Sequence, residues 1–307
     1  VKKVTVLLAT FNGEKYIRDQ LCSLLSQTGI DLHILCRDDR SVDGTFELLK
    51  KSSELNKNFR VVQNQRASGG ASKNYYKLFK DCESINSDYF AFCDQDDIWS
   101  NDKLSRAVKV LEHSDSVGYS CSVNAFFENG SYRQLVQSPK TRRLDFLFEG
   151  AGQGCTFVMK GDFFRKAVKF VGDNESLIDD FHYHDWLVYL IARSNGFSWH
   201  FDVRPYVLYR QHKDNDTGAR GTLNSYKTRF SLIKTGWYLR QLEIAVRIAD
   251  LLPISTSKHY LEYIRLFKDK KASIYRRYFL FLCVIKYGRR RFIDRLVLAF
   301  ACFMSYV

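Results

Sequence analysis

The sequence predicts an α/β fold: a central, mostly parallel sheet flanked by helices, followed by a C-terminal helical region. Three observations carry that expectation. Through the first hundred residues, apolar runs of strand length alternate with segments whose apolar residues fall at helical spacing, and strands joined by helix-length crossovers lie parallel. Polar residues follow each apolar run, so they gather at one sheet edge, where such sheets bind ligands. Beyond residue 223 the strand patterns stop, and bulky apolar residues mix with Lys and Arg.

The first unit is the strand Val4–Leu8, the turn Thr10-Phe11-Asn12-Gly13, and a helix through Tyr16, Ile17, Leu21, Leu24 and Leu25. Val4–Ala9 is too short for the core of a signal peptide, and Val1 is not an initiator Met, so a trimmed N-terminus is expected. The second unit is the strand Leu32–Cys36, the loop Arg37–Gly44 and a helix through Phe46, Leu48 and Leu49, with Ser41 or Asp43 as its cap. A third strand, Phe59–Gln63, leads through Arg66-Ala67-Ser68-Gly69-Gly70 into a helix with Tyr75, Leu78 and Phe79. Gly69–Lys73 lacks the spacing of a P-loop.

The fourth strand, Tyr89–Cys93, is followed at once by Asp94, Gln95, Asp96 and Asp97. Carboxylates gathered this closely repel one another, and a divalent cation relieves the repulsion; hard oxygen ligands suit Mg²⁺ or Mn²⁺, which keep positions open for phosphates. An acidic loop before the next helix is the plainer reading. The apolar strand ahead of it and the second acidic strand end, Asp38-Asp39, favour the cation.

A helix (Leu104–Leu111) and a strand (Val117–Val123) come next, and residues 124–149 read as irregular. Gly150-Ala151-Gly152-Gln153-Gly154 precedes a strand, Cys155–Met159; it is either a turn or a backbone stretch that approaches a ligand closely. Phe181-His182-Tyr183-His184-Asp185-Trp186 opens a helix through Leu187, Leu190 and Ile191. His182, His184 and Asp185 lack a further His or Cys at zinc-ligand spacing. Asp185 fits a helix N-cap. Strands Phe197–Phe201 and Val207–Arg210 lead into a polar loop, 211–220, in which His212 is either a cation or phosphate ligand or an exposed loop residue. Arg210 and Arg220 are candidates to neutralise a diphosphate. Four helical stretches follow: Leu223–Leu252, Lys258–Phe267, Arg276–Ile285 and Arg291–Phe303.

The segments A-T-F-N-G-E-x-Y-I, R-D-D-R-S-V-D-G-T, F-C-D-Q-D-D-I-W, H-D-W and Y-R-Q-H together resemble family 2 glycosyltransferases of the Rossmann-like GT-A fold. The combination of the last three is most similar to bacterial rhamnosyltransferases of cell-surface polysaccharide (O-antigen, lipopolysaccharide) assembly. The resemblance spans about residues 3–220. It departs from the family at Arg40, a place usually held by Gly, and the Q-x-x-R-W signature of processive members is absent. It implies a nucleotide-sugar site of Thr10, Phe11, Asn12, Glu14, Asp39, Lys73, Asn74, Asp94, Gln95 and Arg210. Asp39 would read the base edge. Asp96, Asp94 and His212 would hold a divalent cation, and Asp185 would act as the general base of an inverting transfer. The implied donor is dTDP-L-rhamnose and the implied acceptor a lipid-linked saccharide. A UDP-hexose donor is the alternative; a sugar nucleotidylyltransferase is a more distant one, because Ala9–Asn12 stands where those enzymes have a Gly-rich basic loop.

At 45% hydrophobic and 15% aromatic, the composition is that of a folded chain. Eight scattered cysteines without a C-x-x-C pair read as reduced core thiols in a cytosolic setting. The net charge is +13, and residues 253–307 hold most of it, with twelve Lys/Arg against Glu262, Asp269 and Asp294. That excess lies away from the acidic sheet edge and is interleaved with apolar residues. Nucleic acid is therefore not the expected partner. A membrane surface is, met by helices lying in the interface, on the inner face of the bacterial cytoplasmic membrane. The expected organisation is a catalytic domain, 1–222, and a basic helical region, 223–307.

Overall fold

The computed structural model describes residues 1–137, 140–212, 232, 235–268 and 274–304. Loop residues 213–220, with Arg220, and the first part of the helix expected from Leu223 lie outside them. The first half alternates as the sequence predicts: β1 (Lys3–Thr10), α1 (Ile17–Leu25), β2 (Asp31–Asp38), α2 (Thr45–Leu55), β3 (Phe59–Gln63), α3 (Ala71–Asp81) and β4 (Tyr89–Cys93). The short β5 (Ile98–Trp99), α4 (Lys103–Glu112), β6 (Ser116–Phe127), β7 (Tyr132–Leu135), β8 (Val158–Lys160), α5 (Gly161–Asp173), α6 (Glu175–Ile178), α7 (His184–Ser194) and β9 (Ser198–Gln211) complete the α/β part.

Among the described residues the strands form one sheet in the order β3-β2-β1-β4-β8-β6-β9-β5, with β7 on β6. The first four strands run parallel; β8 is antiparallel to both of its neighbours, and β6 and β9 are again parallel. The chain winds outward from β1 through β2 to β3, then returns to place β4 on the other side of β1. The crevice beyond the ends of β1 and β4 is thus the switch point of the sheet, where ligands bind in open α/β folds. Thr10 ends β1, and Asp94 follows β4.

β4 is buried along its whole length, and its side chains alternate between two cores. Phe90 and Phe92 face the core shared with α3, α5 and α7; Tyr89, Ala91 and Cys93 face the core under α1 and α4. All eight cysteines are free thiols.

Three expectations about the middle of the chain are corrected. The two strands expected at 197–201 and 207–210 are one fourteen-residue strand, β9; Asp202-Val203-Arg204-Pro205 reads as a break, and in the sheet it is an irregularity where the pairing with β6 shifts register. The strand expected at 155–159 begins as a 3₁₀ turn, Gly154–Thr156, closed by Phe157 N–H to Gly154 O and Thr156 Oγ1 to Gln153 O. The stretch 124–149 contains the end of β6 and its hairpin partner β7.

The remaining helices are α8 (Trp237–Asp250), α9 (Lys258–Lys268), α10 (Ile274–Tyr287) and α11 (Phe292–Phe303). Leu242, Tyr263, Leu280, Val284, Leu298 and Cys302 enter the same core as α3, α5 and α7. The opposite faces are apolar and open. Ile274, Tyr275, Tyr278, Phe279 and Leu282 of α10 are exposed, as are Phe292, Ile293, Val297 and Phe300 of α11 and Met304 beyond it. Each set falls within a narrow arc of its helix. Among the described residues no helix is long and apolar enough to cross a membrane.

Candidate active site

The loop after β1 is laced to the loop after β2. Buried Asp38 accepts hydrogen bonds from Thr10 Oγ1 (3.1 Å), Ser41 N (2.9 Å) and Gln63 Nε2 (3.1 Å). Asn12 accepts one from Val42 N (2.9 Å), and Glu14 one from Gly44 N (2.9 Å). Arg40, in the position the family usually gives to Gly, has φ 64°. The loop therefore keeps the left-handed turn that glycine favours, and Arg40 bears the steric cost.

Asp39 is buried and accepts from Asn64 Nδ2 (2.5 Å) and from Ser68 N (2.6 Å) and Oγ (2.7 Å). Asn74, also buried, donates to Arg37 O (2.9 Å) and accepts from Asn64 (3.1 Å). Gln95 clasps the backbone of Phe11 with both ends of its amide (2.8 and 2.9 Å). Asp39 and Asn74 are thus held among polar neighbours beyond β2, and Gln95 ties the acidic loop to the loop after β1, while Phe11 is half exposed. Lys73 stands at the start of α3, 3.7 Å from Asp179 on the surface.

Asp96 and His212, 116 positions apart in sequence, meet at 2.7 Å (Oδ2 to Nε2). The end of β9 makes this contact possible. Arg210 donates from its backbone N to Asp97 Oδ1 (3.1 Å), from Nε to Asp96 O (2.8 Å) and from Nη2 to Asp19 Oδ2 (2.9 Å). Its guanidinium lies between the rings of Tyr16 and Phe126, 4.7 Å from each, and His212 stacks on Tyr16. Arg210 is therefore built into the wall of the site.

Asp94 falls in a second group, with Asp97 and Cys155, whose ligand-type atoms lie within 4.8 Å of one another. Asp97 is fully buried and its Oδ2 has no hydrogen-bond partner. Burial, with Asp96 and Asp94 beside it, pushes its carboxyl well above the usual range. The structure thus pairs Asp96 with His212 and groups Asp94 with Asp97 and Cys155, without bringing the three expected ligands Asp94, Asp96 and His212 into one cluster; the carboxylates of Asp94 and Asp96 and the imidazole are donor types that suit a hard divalent cation. Beneath this loop lies Lys103, fully buried, with Nζ 3.1 Å from the centre of the Trp99 ring. Burial pulls its pKa down to about 8.

Asp185 is the second residue of α7. The capping position is Tyr183, so the N-cap reading of Asp185 does not hold. Its Oδ1 accepts from Trp186 N (2.7 Å). The glycine-rich loop passes so close that a Cβ on Gly154 would stand 3.3 Å from Asp185 Cβ and 3.5 Å from Oδ2, so that loop forms a wall beside the carboxylate. Tyr75 joins this region to the acidic loop: its hydroxyl donates to Cys93 O (2.7 Å) and lies 3.4 Å from Asp94 Oδ1, and its ring stacks on His184 at 3.6 Å. Tyr75, Lys103 and Tyr16 are the residues whose part in the site sequence reasoning passed over. Each looks like an ordinary core or helix position until its distant partner is known.

The description of Glycosyl transferase family 2 matches residues 5–212. A dTDP-rhamnosyl transferase, RfbG of Shigella flexneri, is 35% identical over 249 residues, covering 79% of this chain and 85% of its own. An Escherichia coli UDP-Glc:alpha-D-GlcNAc-diphosphoundecaprenol beta-1,3-glucosyltransferase, WfgD, is 25% identical over 51% of this chain and 61% of its own. Among solved structures, S. aureus TarS 1–349 superposes with a TM-score of 0.58 at 17% identity, covering 99% of this chain and 88% of that one. That likeness fixes the fold as GT-A-like. Because the family match runs from β1 to the histidine paired with Asp96, well over half of the sequence, the chain belongs to glycosyltransferase family 2.

Proposed function

We propose that this glycosyltransferase moves L-rhamnose from dTDP-L-rhamnose to a hydroxyl of a lipid-linked saccharide, with inversion, in bacterial O-antigen synthesis. The observation that carries the donor is the 35% identity to a dTDP-rhamnosyl transferase over most of both chains. The geometry supports the following roles. Thr10–Glu14 and the Asp39 loop, tied together beyond β1 and β2, would line the nucleoside side of the switch-point crevice. Asp96, His212 and Asp94 would hold a divalent cation, Mg²⁺ or Mn²⁺, whose chemistry is to stabilise negative charge on the departing diphosphate. Asp185 takes the proton of the acceptor hydroxyl as its oxygen bonds to the anomeric carbon. The bond from that carbon to the diphosphate breaks on the opposite face, and the nucleoside diphosphate leaves. Tyr75 and the glycine-rich loop keep that carboxylate in register with the acidic loop.

The open apolar faces of α10 and α11, on a segment with a net charge of +9, support a peripheral seat on an anionic membrane, at its cytoplasmic side. A lipid-linked acceptor would be presented there. A UDP-hexose donor is the second reading, on the relative named for UDP-Glc. The test is a panel of nucleotide sugars, scored by thermal protection and by slow hydrolysis in the absence of acceptor. dTDP-L-rhamnose is expected to lead in both. Protection by a UDP-hexose and none by dTDP-L-rhamnose would replace the donor.

A further inference from the structure

We propose that Arg290, in the connection between α10 and α11, is a positioning residue for transfer: it sets the glycine-rich loop 150–154 against the first turn of α7 and so fixes the surroundings of Asp185. This rests on the reading of Asp185 as the base, and it goes beyond that reading by making the C-terminal helices part of the catalytic machinery.

The connection 287–291 is pinned along its length to the segment leading into the loop. Tyr287 O accepts from Leu144 N (3.1 Å), and Arg289 donates to Phe148 O through Nε (3.2 Å) and Nη2 (3.0 Å). The Arg290 side chain is 4% exposed. Its backbone N donates to Glu149 Oε1 (2.6 Å), Nη1 to Asp145 Oδ2 (3.2 Å) and Tyr189 OH (3.4 Å), and Nη2 to the carbonyl of Gly150 (2.6 Å). The guanidinium sits 4.8 Å from the ring centre of Phe201 on β9. Asp145, wholly buried, also receives Arg193 Nη1 (3.2 Å) and Tyr189 OH (3.1 Å), both from α7.

One planar cation therefore holds the start of the glycine loop, and through Asp145 it shares a partner with α7. Both ends of that loop pack closely on the first turn of α7, where an added Cβ would make a neighbour give by a few tenths of an ångström. One on Gly150 would lie 3.3 Å from Trp186 Cα, and one on Gly154 3.3 Å from Asp185 Cβ. A shift of the Gly150 carbonyl is passed to the wall beside Asp185, because the loop is closely packed on the helix at both ends. Among the described residues, none of the acidic loop or of the nucleoside side hydrogen-bonds to Arg290.

The alternative is that Arg290 only stabilises the core, and the variants separate the two. Arg290→Lys keeps a cation beside Asp145 and Glu149 but cannot reproduce the fork that also reaches Gly150 O. Arg193→Lys perturbs the same buried Asp145 without touching Gly150. In Arg290→Lys we expect transfer to acceptor to fall on the order of 10- to 100-fold, the scale of small misplacements in a reacting geometry. Donor affinity and acceptor-independent donor hydrolysis should stay within about twofold. Arg193→Lys should show a comparable loss of melting temperature with transfer nearly intact. Should Arg290→Lys not fold, the double variant Glu149→Gln/Arg290→Gln removes one buried carboxylate and one guanidinium together, leaves Asp145 with Arg193, and is read in the same assays. Unchanged transfer in a folded variant, or transfer and donor affinity falling in parallel, would overturn the proposal. Asp185→Asn measured alongside keeps the layers apart. Normal turnover there removes the base, whereas lost turnover there with normal transfer in Arg290→Lys removes only the role of Arg290.

Discussion

Asp185 sits inside the first turn of α7, two positions past where a carboxylate would close the helix as a cap, with the glycine-rich loop against it. Asparagine could keep the 2.7 Å bond from Trp186 N and most of the packing, but it cannot take a proton. Asp185→Asn should therefore lose on the order of 10²–10⁴-fold in turnover, with donor affinity and melting nearly unchanged; near-normal turnover in the stable variant would exclude the base. Lys103 allows a test of the ground beneath the acidic loop. Its folded pKa is about 8 against an ordinary 10.5, because burial disfavours the charge. Below pH 8 the folded chain carries a buried cation at a cost of about 3 kcal/mol. Between pH 8 and 10.5 the unfolded chain holds a proton that the folded chain has shed, so stability from this group rises with pH. Relative to Lys103→Met, the unaltered protein should thus gain stability from pH 8 to 10 in urea titrations; a difference independent of pH would show that Lys103 does not titrate there. Asp185, Asp96 and His212 were legible as residues because they sit in short polar motifs at the ends of apolar runs. Lys103 and Tyr75 were not, since a buried lysine and a stacked tyrosine look in sequence like any amphipathic helix residue.

At the level of elements, the parallel half was readable because each strand carries a short apolar run with a polar stop; β1 and β4 are buried nearly throughout, β2 and the edge strand β3 only in part. β9 was not, because Asp202, Arg204 and Pro205 have the composition of a turn, and only pairing with β6 carries the strand through them. The misreading matters for function. β9 as one long strand brings Arg210 and His212 back onto the acidic loop, and it anchors them with three hydrogen bonds and two ring contacts from Arg210 alone. Arg210→Ala should leave the strand in place, since its backbone bond to Asp97 remains, but free the carbonyl of Asp96 and unstack the wall behind His212. The expected cost is about 2 kcal/mol in stability, at the scale of charge-assisted hydrogen bonds, with donor affinity lower by roughly tenfold. Lowered stability with unchanged donor affinity would make Arg210 a structural pin and nothing more.

For the molecule as a whole, the C-terminal helices have two faces with different tasks. One joins the core of α3, α5 and α7 and delivers Arg289 and Arg290 to the glycine-rich loop. The other leaves ten apolar side chains open on α10, α11 and Met304, a patch of the kind that meets a membrane or another protein. Removing the helices would destroy both faces at once, so truncation cannot test membrane contact. Point charges on the outer face can. Phe279 and Ile293 are 52% and 61% exposed, so glutamate at either position leaves the core intact while placing a carboxylate where an apolar side chain would enter the interface. A partly buried apolar side chain contributes about 1–2 kcal/mol to such contact, and an anionic surface repels the new charge in addition. Phe279→Glu and Ile293→Glu should each weaken binding to vesicles containing anionic lipid by at least about tenfold, and the double variant should abolish it. Melting temperature and transfer to a soluble acceptor analogue should hold. Equal binding of variant and unaltered chain to those vesicles, together with a change of oligomeric size on gel filtration, would assign the face to a second copy of the chain instead of to lipid.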